Sequence, residues 1–541
     1  MPNLRGADIV VRTLERAGLT DIFTLSGNHI MSLFDAAIGT SLSLMHVRHE
    51  AATVHMADSY GRLTGRPGVA WVTGGPGHAN AVGALFTALG QETPMLLLSG
   101  HTETDQLGRG GFQELRQVQM AEPVSKAAWM ATDTARVGLD IARAVRTATG
   151  GRPGPVHVSL PSDVLDATVP EHAVQWPDAG DFVATPLALA DAAADAVVKL
   201  LAEAKRPLII GAPVLANRKG RALLHELETT FGVPTCISEG PRSFNDATLG
   251  AYAHVAAQAD LILLLGKALD FTLKFGGAPI AKDCRIVAID PDGAILGRAA
   301  GARGLAFGCV ADTYPAAEAL IRRGKTVVSG DPGWLAEARA SFNDRPAEWA
   351  ELRSKTQRKL HPAEVFRTLQ PYLDQHADSV LICDGGEFSQ WGQSMLRNDR
   401  RMINGVAGSI GSSLPMAAGA RVVEHRAPIF AVLGDGTFGF HMAEIETAAR
   451  LGLPFVAVVG TDARWNAEYN LQVRDYGPNR TYGCELNPTR YDLVAPALGG
   501  HGELVEAAED LPGAIERSLA SGKPAVINIM IESIPSPVVR R

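Results

Sequence analysis

Apolar residues along the chain fall into short unbroken runs, each bounded by Gly, Pro or Asp: GVAWVTG, PMLLLSG, GPVHVSLP, PLIIGAP, LILLLGK, RIVAID, VLICDGG, PIFAVLGDG, PFVAVVG and AVINIMIE. A run that does not alternate with polar positions reads as a strand covered on both faces. Between most of the runs lie segments of helical length. Strand and helix in alternation predict an α/β protein built on parallel sheets. Two stretches break the rhythm, DATVPEHAVQWPDAGDFVATP near 166–186 and SGDPGWLAEARASFNDRPAEWAELRSKTQRK near 329–359. Read as connections, they leave three doubly wound domains at 1–165, 187–328 and 360–541, each of ordinary size.

The first and third domains share a faint echo. GVAWVTGGPGHANAVGALFTALGQETPMLLLSG and PIFAVLGDGTFGFHMAEIETAARLGLPFVAVVG both run strand, glycine turn, helix, proline, strand. In the second of these, HMAEIETAARLG is expected to be one helix with Met442, Ile445 and Ala449 on one face, stopped by Gly452. Any βαβ unit can look so. If the echo is real, only the later copy carries an acid in its turn.

Composition removes several classes of function. Lys and Arg number 50 against 58 Asp and Glu, a formal charge of −8, and no basic block tracks a phosphate backbone, so nucleic acid is excluded as a partner. No apolar run is long enough to span a bilayer, and the N-terminal MPNLRGADIVVRTLERAG has helical periodicity rather than the build of a signal peptide. A cytoplasmic location is expected. The five cysteines never form C-x-x-C, which argues for buried thiols rather than a zinc site or disulfides.

The chemistry concentrates in VLGDGTFGF. GDGTFG satisfies G-x-G-x-x-G, where Gly434 and Gly436 permit a tight turn into a helix whose free N–H groups attract phosphate. That is also the reading of an NAD-linked Rossmann dehydrogenase. Asp435 opposes it, because a carboxylate beside a diphosphate is repelled unless a divalent cation lies between them. Further oxygen donors are expected at the tip of the next parallel strand, and PFVAVVG delivers Thr461 and Asp462 there, Asp462 lying 27 positions on (435 to 462). Hard oxygen ligands completed by diphosphate and water suit Mg²⁺ or Ca²⁺.

With these residues the chain resembles, over nearly its whole length, the thiamine diphosphate (ThDP) enzymes of the pyruvate decarboxylase, acetolactate synthase and benzaldehyde lyase type. The resemblance implies a pyrimidine-binding first domain, a middle domain and a diphosphate-binding third domain. It implies Asp435, Asp462 and the main-chain carbonyl of Arg464 as metal ligands, although Thr461-Asp462 replaces the family's Asn pair. In RHEAA…ADSYGRLTG it makes Glu50 the glutamate that hydrogen-bonds the aminopyrimidine. Thr73, Pro76 and Asn80 of TGGPGHAN then line the pyrimidine. In NGVAGSIGSSLP the Gly408 carbonyl accepts from the ring's amino group and Ile410 wedges beneath the cofactor. Glu387 and Phe388 of CDGGEFSQW supply main-chain groups on the phosphate side, with Gly434, Gly436 and Thr437. It also implies a homodimer or homotetramer, in which one chain supplies Glu50 and another Asp435.

On the substrate side, His29 in FTLSGNHIMSLFDAA and Gln113 in GGFQELRQVQMAEPVSK match active-site positions of the benzaldehyde lyase type, and a histidine suits acid–base work near neutral pH. Glu468 matches a catalytic glutamate of pyruvate decarboxylases. Asn28, His78, Trp465 and Ala467 are expected to shape the pocket. The expected reaction is cleavage or formation of a C–C bond next to a carbonyl, on 2-hydroxyketones, aldehydes or 2-oxo acids. A 2-oxo acid decarboxylase is the near alternative, and LGKALDFTLKFG resembles the oxalyl-CoA decarboxylase branch. A ThDP-binding protein that has lost turnover through the Thr461-Asp462 change is a third possibility. LIIGAPVLAN lacks a glycine cluster, which argues against FAD in the middle domain.

Overall fold

A computed structural model describes residues 3–325 and 331–539. The end of the middle domain expected at 328, and the start of the following connection at 329, fall outside them. Strand β1 (Asn3–Arg5) precedes a first sheet of β2 (Asp21–Thr24), β3 (Ser43–His46), β4 (Gly68–Val72), β5 (Met95–His101), β6 (Ala127–Met130) and β7 (Pro155–Pro161), and β8 (Thr168–Pro170) returns to pair antiparallel with β1. The second sheet holds β9 (Pro207–Gly211), β10 (Thr235–Ile237), β11 (Leu261–Leu265), β12 (Arg285–Asp290) and β13 (Phe307–Val310). The third holds β14 (Val380–Cys383), β15 (Arg401–Ile403), β16 (Ile429–Gly434), β17 (Val456–Thr461), β18 (His501–Val505) and β19 (Ala525–Met530). Neighbouring strands within the three sheets run parallel, from Ile22 beside Val69 to Gly434 beside Gly460. Strands β4, β5 and β7 are buried at every position, which is why their sequences show no alternation.

The spatial orders β3-β2-β4-β5-β7-β6 and β15-β14-β16-β17-β19-β18 are the same order when each domain's strands are counted from its own start. The sequence echo therefore marks equivalent units, β4 to β5 and β16 to β17. The middle sheet, β10-β9-β11-β12-β13, follows a different order. In both outer sheets the chain's winding reverses between the first and third strands, so the crevices open at the carboxyl ends of β2/β4 and β14/β16.

Two expectations need correction. The segment after GDGTFG is not one helix but two, Asp435–His441 and Glu444–Arg450. Met442 and Ala443 join them with ψ of −27° and −21°, a loosened turn that leaves Met442 exposed while Ile445 stays buried. The second rhythm-breaking stretch is also more than a connection. It contains the helix Pro332–Phe342, whose buried Trp334 donates from Nε1 to the Pro207 carbonyl at the start of β9. An indole needs a partner for its N–H when buried, and this one finds it on the middle sheet.

The first and third domains share a continuous apolar core. Its densest contact sets the helix Glu50–Thr64 against the helix Ser413–Val423. There Gly419 lies so close that a Cβ would stand 2.6 Å from the Met56 carbonyl oxygen. Charge joins the first domain to the middle one: the Arg152 guanidinium donates to Glu92 of its own domain and to Asp290 and the Gly266 carbonyl at the tips of the middle sheet. Among the described residues no helix is long and apolar enough to cross a membrane.

Candidate active site

The tips of the N-terminal sheet bring together most of the residues expected on the pyrimidine and substrate side. Thr73 follows β4, and its Oγ1 lies 3.3 Å from the His29 main-chain nitrogen and 3.2 Å from His29 Nδ1. His29 Nε2 lies 3.2 Å from the Phe112 carbonyl oxygen. A carbonyl only accepts, so Nε2 carries the proton and Nδ1 accepts from the threonine hydroxyl. Burial lowers the His29 pKa, which keeps the ring neutral near pH 7. The Phe112 ring stacks on it at 5.8 Å with 64% of the phenylalanine exposed.

Gln113 follows in a left-handed conformation (φ 57°), and its Cβ and carbonyl press on Gly75, itself at φ 57°. A non-glycine residue held there is strained, a state usually retained at working sites. Glu114 fixes the loop by accepting from the main-chain nitrogens of Gly108, Gly110 and Gly111, which holds its carboxyl below the usual range.

Glu50 begins its helix half-buried, and Asn80 donates to its Oε2 at 3.0 Å. Pro76 opens the adjacent helix Pro76–Gly90 and, like Asn80 and Asn28, is exposed. His78 is placed otherwise than expected. It is fully buried, bonded through Nδ1 to Ser99 at 2.8 Å and packed on His157, and burial drives its pKa down to about 4. His78 shares the buried face of this helix with Val82, while Pro76 and Asn80 lie on the exposed one; the sequence pattern did not separate the two faces.

The C-terminal sheet carries the second cluster. Asp435 is 2% exposed, with Oδ1 accepting from Gly436 N at 2.9 Å and Oδ2 from Ala463 N at 2.8 Å. Ala463 takes a positive φ of 60° to present that nitrogen. Asp462 sits beside it, close to Ser533, whose hydroxyl donates to Asn466 Oδ1 at 2.9 Å. Burial pushes Asp435 up to about 6 and Asp462 up to about 7, the latter also through the negative charge of Asp435. Arg464 draws Asp462 partly back, while its guanidinium stacks on Tyr469 at 4.1 Å and stands 3.7 Å from Glu485.

Among the described residues no three His, Cys, Asp or Glu side chains gather to hold a metal. A cation here would take two carboxylates and a main-chain oxygen, such as the Arg464 carbonyl. Two desolvated carboxylates side by side, short of compensating charge, fit a divalent ion. Thr461 is not part of that set, since its hydroxyl turns into the sheet and donates to Asn528.

Room for a phosphate group lies next to them. A Cβ on Gly434 or Gly386 would meet nothing nearer than Thr437 Oγ1 at 4.0 Å, and one on Gly408 (φ 67°) would meet nothing within 4 Å. These glycines flank the crevice between β14 and β16, with Thr437 buried in its wall. Ile410 packs against Gly385, which could not bear a Cβ there (2.5 Å). Glu387 is tied to the Ser536 main chain, and the Phe388 ring packs on Gly460, so any contribution of this pair to a ligand is through main-chain atoms. Trp465, expected in the substrate pocket, covers Gly436, where a Cβ would stand 2.6 Å from the indole, and meets Phe440 edge-on. Ala467 and Glu468 lie in the first turn of the helix Asn466–Tyr476, Ala467 partly buried and Glu468 exposed.

Among the described residues no hydrogen bond or ion pair joins the Glu50 cluster to the Asp435 cluster within one chain. Sequence reasoning missed Phe112, Ser533 and the Ala463 nitrogen. Only Phe112, an aromatic beside a glycine pair in a polar loop, left any trace of its exposure in the sequence.

Comparison with known proteins identifies the family. The thiamine pyrophosphate enzyme N-terminal TPP binding domain matches residues 4–120, and the thiamine pyrophosphate enzyme C-terminal TPP binding domain matches residues 384–529. The chain is 31% identical over 538 residues to an acetolactate synthase large subunit of Mycobacterium tuberculosis, with 97% of this chain and 95% of that protein covered. It is 27% identical to a 2-hydroxyacyl-CoA lyase 2 of Danio rerio (97% and 91% covered) and 28% identical to a sulfoacetaldehyde acetyltransferase of Castellaniella defragrans (97% and 92% covered). The chain belongs to the thiamine pyrophosphate enzyme family. GDGTFG is therefore not the turn of an NAD-linked dehydrogenase.

Proposed function

We propose that this thiamine pyrophosphate enzyme is a Mg²⁺-dependent lyase or carboligase that breaks or makes a C–C bond beside a carbonyl, on 2-hydroxyketones, aldehydes or 2-oxo acids. The names of its relatives support the bond type. The observation that carries the metal dependence is the desolvated Asp435–Asp462 pair beside an open glycine-lined crevice. Thiamine diphosphate, when bound, supplies a nucleophilic carbon able to stabilise negative charge on the carbon of a former carbonyl.

The chain's own residues do the rest. Asp435, Asp462 and the Arg464 carbonyl hold the cation, while the glycines around Thr437 let the main chain approach the diphosphate. Glu50 accepts a hydrogen bond from the pyrimidine and moves a proton at that ring. His29, neutral and held by Thr73 and Phe112, passes a proton at the substrate oxygen. Phe112 and Gln113 exclude water above it, and Glu468 takes a second proton position on the facing wall.

The two clusters complete one another across a homodimer or homotetramer interface. Their separation within one chain supports this, as do the exposed Phe112 and Phe440, 64% and 54% exposed, at their rims. The five unpaired cysteines support a reducing, cytoplasmic setting.

The test is to load the apo-protein with ThDP and Mg²⁺ and offer 2-oxo acids, benzoin-type hydroxyketones, 2-hydroxyacyl-CoA thioesters and aldehydes, with products resolved by mass spectrometry. Cleavage or ligation of hydroxyketones is expected. Loss of CO₂ from 2-oxo acids or oxalyl-CoA with no ligated product would make it a decarboxylase, and no turnover by cofactor-loaded protein would overturn the reading.

A further inference from the structure

One buried amide ties together the turns of the N-terminal cluster. Gln117 is 1% exposed. Its Oε1 accepts from the Gly75 main-chain nitrogen at 2.8 Å, and its Nε2 donates to the Gly100 carbonyl at 3.0 Å and to Ser159 Oγ at 2.9 Å. A single side chain thus binds the turn after β4, the end of β5 and the end of β7.

Each attachment bears on a residue already placed in the cluster. Gly75 sits at φ 57°, ψ −113°, a region only glycine occupies readily, and packs on Gln113. Its neighbours in the same turn are Thr73, bonded to His29, and Gly77, where a Cβ would stand 3.5 Å from Glu50 Oε1. Gly100 lies against His29 so closely that a Cβ would be 2.6 Å from the histidine Cβ.

We propose that Gln117 is a positioning residue that sets the height of the Gly75 turn and, through it, the placement of Glu50, His29 and Gln113. The inference rests on reading Glu50 and His29 as working groups. Without it the Gly75 nitrogen loses its side-chain acceptor, and Gly100 and Ser159 lose a shared donor, so the turn must shift to reach water. A displacement of about 1 Å at a reacting group costs roughly a hundredfold in rate.

The experiment compares Gln117→Met, Gln117→Glu and Ser159→Ala. Gln117→Met keeps the volume and loses all three bonds, so kcat should fall by about thirtyfold to a hundredfold with a small change in KM. Hydrogen exchange of the peptide spanning Val72–Gly77 in the apo-protein should speed up in parallel. Ser159→Ala removes one bond to the same amide and leaves Gly75 tied. It should lower Tm while kcat and exchange at that peptide stay within about twofold of the parent, a smaller effect than losing the turn itself.

Gln117→Glu keeps the acceptor for Gly75 and regains the donor to Gly100 only when protonated, so its kcat relative to the parent's should recover as the pH falls. That variant also decides the matter if Gln117→Met fails to fold. Normal kcat and unchanged exchange in Gln117→Met, or a parent-like pH profile in Gln117→Glu, overturns the proposal. Full activity in Glu50→Gln overturns the functional reading instead, so the two failures are distinguishable.

Discussion

The two outer domains use one topology for opposite electrostatic ends. At the third strand of each sheet the chain leaves through a glycine turn into a helix, yet the turn after β4 contains no charge and the turn after β16 buries an aspartate. The N-terminal turn stands in a glycine-only conformation, bonded to a neutral amide and set among imidazole, amide and carboxylate groups. The C-terminal turn has ordinary dihedrals, with Gly434 at φ −81°, and its cost is electrostatic: two carboxylates kept together out of water. A shared strand order fixes where a crevice can form, and the side chain at one turn position decides whether that crevice is neutral or holds a buried carboxylate.

The sharpest way to break this contrast is to disable each turn alone. Asp435→Ala should abolish the rise in Tm caused by ThDP with Mg²⁺. Glu50→Gln should retain that rise while turnover falls by roughly 10³-fold, the range of a lost proton-transfer partner. If both variants lost binding, or both kept it, the division of labour would be wrong.

A smaller effect comes from pH. Asp435 and Asp462 titrate at about 6 and about 7 when folded, above the ~3.9 of an unfolded aspartate. Groups raised in this way stabilise the cation-free protein fully below about pH 4 and lose that contribution as the pH rises to about 7, a loss on the order of 7 kcal/mol for the two together. Thermal melts in chelator should show Tm falling over that window, with added Mg²⁺ restoring most of it above pH 7. A flat Tm in chelator would mean that the pair is compensated by other groups.

Smallest is the pair of glycine replacements. Gly75→Ala forces a Cβ to 2.5 Å from the Gln113 carbonyl and should cost about 2 kcal/mol or more in urea unfolding. Gly434→Ala meets only open crevice and should leave stability within about 0.5 kcal/mol while weakening ThDP binding.

The α/β class was legible because strands buried on both faces cannot alternate, and the acid in GDGTFG was legible because a carboxylate beside phosphate demands a cation. Asp462 was found by counting to the next strand tip. The partition of the helix after GDGTFG was not, since Met442 and Ala443 are good helix formers and the break is made by packing against the first domain, where Glu444 accepts from Arg48 N. His78 was misread for a similar reason. The turn GGPGHAN has the same letters whichever way its imidazole points, and the buried Ser99 and His157 that receive it lie on β5 and β7. The exact seat of Trp465 was not legible either, since loop 463–465 is pinned by main-chain bonds to residues 484 and 486, far along the chain, which bring the indole down onto Gly436.

The Arg152 guanidinium that links Glu92 to the tips of the middle sheet has a mechanical consequence. Sliding or hinging of the middle domain away from the first would strand a cation and two carboxylates in a poorly hydrated seam, which is far costlier than flexing a loop. The middle domain is thereby held as a strut rather than a moving arm, and the first and middle domains should melt as one cooperative unit in calorimetry.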